Sequence, residues 1–298
     1  MTIGETGTPG GTTAGPIDGT AWIGGYPYRE LPHPDPEVLV RVLAREGFGG
    51  AWVGHLPGAF HRDPAPSNRH LYEAVAPFRA VLHPTPIVRP DWPHWERTLQ
   101  EAVDRGAPAI RIYPGLWGLG PRHPALTELA EGCARAGVVV HVTMRFEDLR
   151  QRHPIDGGSD VLAATVRGLV RREGASPRPV VLVAGAGREV IEEIHWGLTP
   201  EEQGRAFYDF HWVWGPPEDH FAHLVRTLGP ERLALSSWWP LRLTQQSRAL
   251  IDLLPAAAAE TAAETAVEMP ERAPPTFADF ADGRRMVARA AAVAQSLT

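Results

Sequence analysis

From residue 16 to about residue 254 the chain alternates between two kinds of pattern. Short runs of consecutive apolar, β-branched and aromatic residues occupy positions 20–24, 50–54, 80–88, 109–113, 138–144, 179–184, 207–213 and 232–237. Between them, apolar positions recur every three or four residues at 36–45, 68–76, 95–104, 124–136, 160–171, 188–195 and 217–228. The runs are near-continuous rather than alternating, which predicts parallel strands covered on both faces. The intervening period predicts amphipathic helices. Pro36 suits a first helical turn and Asn68 is a candidate N-cap. Eight strands separated by helices predict an α/β fold, either a (β/α)8 TIM barrel or a doubly wound sheet. The turn after the first strand lacks a dinucleotide fingerprint, which favours the barrel, and 298 residues are a usual length for one.

The flanks read differently. Residues 1–15, rich in Gly and Thr, predict a disordered lead to a barrel spanning 16–254. Residues 255–275 are Ala/Glu-rich with a Pro-rich end and predict a low-complexity linker; residues 276–298 predict a last helix that docks back on the barrel.

Composition removes several kinds of chemistry. All 29 cationic side chains are Arg, so mechanisms that need a Schiff-base, carbamylated or phosphate-loop lysine are excluded. The absence of Lys beside abundant Arg, Ala, Gly and Pro suggests a GC-rich bacterial genome. A net charge of -6 without a basic stripe argues against nucleic-acid binding. The one cysteine, Cys133, allows no internal disulfide and no thiolate cluster. No apolar run approaches the roughly 18 residues of a membrane span, and the first residues lack a signal peptide's basic and apolar regions, so a cytoplasmic location is expected.

Several segments, taken in order, resemble the amidohydrolase-related family of metal-dependent TIM-barrel hydrolases. The opening IDGTAWIGG is similar to that family's first strand, Asp-x-His-x-His-x-Gly. AIRIYPG, followed by HPALTELAEGCARAGVVVHV, is similar to its fourth strand, next helix and fifth strand. LGPERLALSSWWPL is similar to its last strand, Arg-Val-Leu-Phe-Gly-Ser-Asp-x-Pro. Tyr26-Pro27-Tyr28-Arg29, and Met144 with Glu147, Asp148, Arg150, His153 and Pro154, resemble stretches of some members without established activity. The resemblance implies a barrel with its site at the C-terminal ends of the strands. It also implies that the metal ligands are nearly all lost. The first-strand histidines fall at Thr20 and Trp22, the sixth-strand histidine at Ala184 or Gly185, and the last-strand aspartate at Trp238; only His141 remains. One imidazole does not hold a divalent ion tightly, so no metal and no cofactor are expected.

The candidate residues cluster near the expected mouth. His141, Glu147 and Asp148 are candidates for acid–base chemistry, and Arg150 and His153 for holding substrate; the alternative is an Arg–carboxylate pair that pins a loop beside a core histidine. Arg111 lies between Ile110 and Ile112, which should face the helices, so its guanidinium should point inward. There it needs a carboxylate, Asp148, Glu147 or Asp209, or an anionic ligand. Arg29 and Tyr113 are further candidates for binding. Trp22 and Trp238 are expected to line an aromatic pocket or, alternatively, to fill the volume that metals left. His55, His83 and His211 are lesser candidates. The expected function is a metal-independent hydrolase or lyase of a small carboxylated, anionic molecule. The rivals are a ligand-binding pseudoenzyme and an interaction scaffold, and a homo-oligomer is left open.

Overall fold

The computed structural model describes residues 15–171, 177–254 and 275–296. The lead and the linker read from the sequence fall on 1–14 and 255–274, outside the described residues. Strands β1 (Ile17–Ile23), β2 (Gly50–His55), β3 (Leu82–Pro84), β4 (Ala109–Ile112), β5 (Val139–Thr143), β6 (Val181–Ala184), β7 (Ala206–Asp209) and β8 (Leu233–Ala234) follow one another in chain order. Each pairs in parallel with the next, as β1-β2-β3 and as β4-β5-β6-β7-β8.

Backbone bonds outside the strands close the circle. Arg111 N donates to Pro86 O and Val88 N to Arg111 O, which joins the end of β3 to β4. Gly19 N donates to Leu235 O and Trp238 N to Thr20 O, which joins β8 to β1. The result is a (β/α)8 barrel. The run at 80–88 keeps only Leu82–Pro84 as strand because Pro84 and Pro86 have no N–H to give the ladder. In β1 the register shifts between Asp18 and Ala21, and the Asp18 carboxylate takes up the slack by accepting Thr20 N and Ser237 N at 2.8 and 3.0 Å.

Helices α1 (Pro36–Glu46), α2 (Ala65–Val75), α3 (Trp95–Asp104), α4 (Pro124–Ala136), α5 (Ala163–Val170), α6 (Arg188–Trp196), α7 (His220–Leu228), α8 (Gln246–Asp252) and α9 (Gly283–Gln295) surround the sheet. α1 and α4 each start on a proline and end on a left-handed glycine, Gly47 and Gly137, whose N–H closes the last turn. Asn68 is not a cap: it lies inside α2, where its side chain accepts Ile87 N and donates to Ile87 O, both at 2.8 Å. It replaces a missing ladder pair beside the prolines of β3.

Alternation sorts the strand side chains into an outer layer and three inner ones. Ile110, Ile112, Val140, Val142, Val181 and Val183 pack outward with the helices. Inside, at the N-terminal ends, Ala109, Val139, Leu182 and Phe207 form an apolar floor with Trp52 and with Met286 and Ala290 of α9. At the C-terminal ends, Trp22, Tyr113, Ala184 and Trp238 form an aromatic ceiling. Between floor and ceiling, the same alternation leaves a polar layer.

Candidate functional site at the barrel mouth

The polar layer contains Thr20, Arg111, His141 and Asp209, with Asp18 at the β1 bulge, and all five are fully buried. Arg111 points inward, as its apolar neighbours predict. Its partner is not the carboxylate that was expected. Nε donates to Thr85 Oγ1 at 2.7 Å, and Nη2 donates to Ala21 O and Trp52 O at 3.0 and 3.1 Å. Nη1 has no hydrogen-bond partner, and the guanidinium lies 4.8 Å from the Trp22 ring centre. Asp148, Glu147 and Asp209 form no ion pair with it; carbonyl dipoles on the neighbouring strands β1 and β2 satisfy the fork instead.

Burial sets the protonation of this layer. It pushes Asp18 up to about 7 and Asp209 up to about 6, against the hydrogen bonds each accepts. It holds His141 well below the usual imidazole range, with the Arg111 charge adding to the effect, so the ring stays neutral. His141 Nε2 lies 3.0 Å from Thr20 Oγ1. No carboxylate contacts His141, so the expected acid–base pairing with Asp148 or Glu147 is not formed.

These residues do not fit a divalent metal. Asp209 Oδ1 accepts Gly185 N and Oδ2 accepts Trp238 Nε1, so both of its oxygens are engaged. The nitrogen of His141 that faces Thr20 is engaged as well. Trp22 and Trp238 stand where the resemblance implies ligands, with ring centres 5.0 Å apart. Among the described residues, no three His, Cys, Asp or Glu side chains converge as a ligand set.

The ceiling is closed by the chain itself. Phe146, in the loop after β5, lies 5.4 Å from Tyr113, 5.9 Å from Trp22 and 6.2 Å from Tyr26 between ring centres. Trp22, Trp238 and Tyr113 are therefore enclosed by one another and by Phe146. A small crevice with room of about 20 Å³, partly open to solvent, lies within this loop and its base, between Tyr113, Thr143, Arg145, Phe146, Arg152 and Asp156.

Above the ceiling lies a rim of guanidinium groups. Arg29 donates to Glu147 Oε1 at 3.1 Å and to Leu241 O at 2.7 Å. Arg242 Nη2 stands 3.7 Å from Glu147 Oε2, and its guanidinium lies 4.0 Å from the Trp212 ring centre. Arg145 covers the same ring at 5.2 Å and reaches Asp160 at 3.5 Å. Glu147 is thus shared by two cations and is 8% exposed. Arg242 Nε and Nη2 are buried without a hydrogen-bond partner, as is Trp212 Nε1. The remaining candidates stand apart. Asp148 accepts from Arg150 at 2.9 Å, which holds it well below the usual carboxylate range, and the Arg150 side chain is 80% exposed. His153 stacks on Tyr28 at 5.5 Å. Arg242 and Arg145 had no sequence signal beyond being cations in loops after strands. Trp212 was legible only as one of several tryptophans near strand ends.

The chain's fold is shared with solved structures at low identity. The 5-carboxyvanillate decarboxylase from Sphingomonas paucimobilis superposes with a TM-score of 0.58 at 13% identity, over 94% of this chain and 99% of that one. The fold is that of the amidohydrolase-like barrels. An uncharacterised TIM-barrel protein from Bordetella bronchiseptica gives a TM-score of 0.58 at 14% identity, over 93% and 99% of the two chains. The 2,6-dihydroxybenzoate decarboxylase from Rhizobium gives 0.57 at 11%, over 95% and 99%; an enzyme of that name is also known complexed with 2,6-dihydroxybenzoate. Neither a protein-family description nor a curated protein sequence matches the chain. Among the described residues, no helix of this amidohydrolase-like barrel is long and apolar enough to cross a membrane.

Proposed function

We propose that this amidohydrolase-like barrel binds a small carboxylated molecule at its mouth, through Arg242 with Arg29 and Arg145, over the Trp212 ring. The carrying observation is Arg242: two of its N–H groups are buried without a hydrogen-bond partner beside a shared carboxylate. Buried guanidinium donors left unmade cost about 1–3 kcal/mol or more, which a bound carboxylate would recover. Two of the structural neighbours are named for aromatic carboxylate substrates, which supports the ligand class.

A second reading, a hydrolase or lyase acting on the same class, is favoured by one feature. His141 Nε2 contacts Thr20 while Nδ1 has no hydrogen-bond partner, a neutral imidazole with one nitrogen free. In that reading His141 acts only when the aromatic ceiling admits a ligand. Benzoate binding, followed by calorimetry, tests the site. Arg242→Met should weaken it about 10- to 100-fold, the loss of a charge-assisted pair of hydrogen bonds. Equal affinity in wild type and variant would end the reading; benzamide, with no charge, should bind neither.

A further inference from the structure

The mouth is closed by a dipeptide with the same chemistry as the ligand proposed for it. Phe146 supplies an aromatic ring among Trp22, Tyr26 and Tyr113. Glu147 supplies the adjoining carboxylate between Arg29 and Arg242. We propose that the loop after β5 is a built-in competitor: Glu147 occupies the guanidinium site, Phe146 covers the aromatic ceiling beside it, and the loop must swing out before a carboxylated ligand enters. The inference rests on the binding reading given above and adds its regulation.

Four observations carry it. The base of the loop is fixed, because Val161 N donates to Met144 O at 3.0 Å and Ser159 N to Gly115 O at 3.1 Å. Arg145 is held as well, donating to Gly185 O at 3.2 Å, so the stretch from 146 to 158 can move without disturbing β5 or α5. Its tip has little hold on the barrel, with Leu149 69% and Ile155 80% exposed. The small crevice between the loop and Tyr113, Gly115, Leu116 and Thr143 shows that its underside is not tightly packed there. Finally, the contacts that hold it down are separable: the Glu147 pairs, the Phe146 ring contacts, the His153–Tyr28 stack and the Arg152–Asp160 pair. Its other ion pairs, Asp148 with Arg150 and Arg152 with Asp156, are internal to the loop and would travel with it.

A site occupied by its own chain binds ligand with an affinity reduced by the fraction of open molecules. Weakening the competitor raises that fraction. Glu147→Gln keeps the shape and removes the charge, so benzoate should bind at least about fivefold more tightly than to wild type, the fold expected when the two ion pairs at the exposed rim are lost. Phe146→Ala, measured with its melting temperature as a folding check, should tighten it as well. In parallel, saturating benzoate should speed tryptic cleavage after Arg150 in the wild type, because the displaced loop becomes a better substrate. Unchanged or weaker benzoate binding in Glu147→Gln, with cleavage unaffected by benzoate, overturns the competitor while an Arg242-dependent affinity leaves the binding reading standing. Failure of benzoate to bind wild type, Glu147→Gln and Phe146→Ala alike ends both.

Discussion

Replacing Arg111 with Met tests the energetics of the barrel interior. The substitution removes three hydrogen bonds, to Thr85 Oγ1, Ala21 O and Trp52 O. It also removes a positive charge that interacts with two buried carboxylates, Asp18 and Asp209. Stranding three buried acceptors at about 1–2 kcal/mol each costs about 3–5 kcal/mol in all. That is a large share of a stability on the order of 5–15 kcal/mol, and it leaves the variant folded enough to measure.

The pH dependence is the sharper test of Arg111→Met. Asp18 rises from 3.8 to about 7, first because of burial, while hydrogen bonds from Ser237 and Thr20 and the Arg111 charge pull it back. A carboxyl raised on folding contributes stability that is fully present below about 3.8 and is lost as pH rises through about 7. Without Arg111 it rises further, so the loss deepens, and the variant should be more destabilised at pH 8 than at pH 5. Urea unfolding at the two pH values measures this. Adding Asp18→Asn, which keeps both acceptor contacts of Oδ1, should shrink the difference and reveal a coupling of about 1 kcal/mol or more, Asp209 accounting for what remains. A cost below about 1 kcal/mol, or one equal at the two pH values, would refute the reasoning.

Two further outcomes follow from residues away from the mouth and around β7. Asn68→Ala should cost about 2–4 kcal/mol in urea unfolding, because it strands the buried N–H and C=O of Ile87, and Asn68→Asp should recover only the acceptor half. His211 is lowered to about 3 by burial and then by Arg242, so its stabilising contribution is present above its unfolded value near 6.5 and lost as pH falls. His211→Asn should therefore retain more of its pH 7.5 stability at pH 4 than wild type does; a parallel decline in both proteins would contradict this.

The fold was largely legible because its signals are local. The bounds at 95–104 and 124–136 agree with α3 and α4, whose periodicity lies within one segment, as do the proline and terminal glycine of α4. The site was not, because its contacts are remote. Arg29 meets Leu241 across 212 positions, and Asn68 meets Ile87 across 19, so residue type alone suggested a cap. Arg111 could be oriented from Ile110 and Ile112, but its partners could not be named, since backbone carbonyls of two other strands carry no sequence mark. Trp238 read as a lost ligand; only the structure shows its indole N–H donating to Asp209.

The floor of the barrel sets an order on its making. α9 seals the N-terminal ends of the strands: Asp282 accepts Ile17 N at 3.1 Å, Ala281 pairs with Ala234, and Gly283 lies so close to Trp52 that a side chain there would collide at 2.7 Å. All eight strands leave the ribosome before this helix does. A nascent chain stalled after β8 would have its circle of strands complete and its lower apolar layer, Trp52, Leu182 and Phe207, open to water. Such a species invites association with other unfinished chains. α9 thus covers the lower layer only after all the strands it covers have been made.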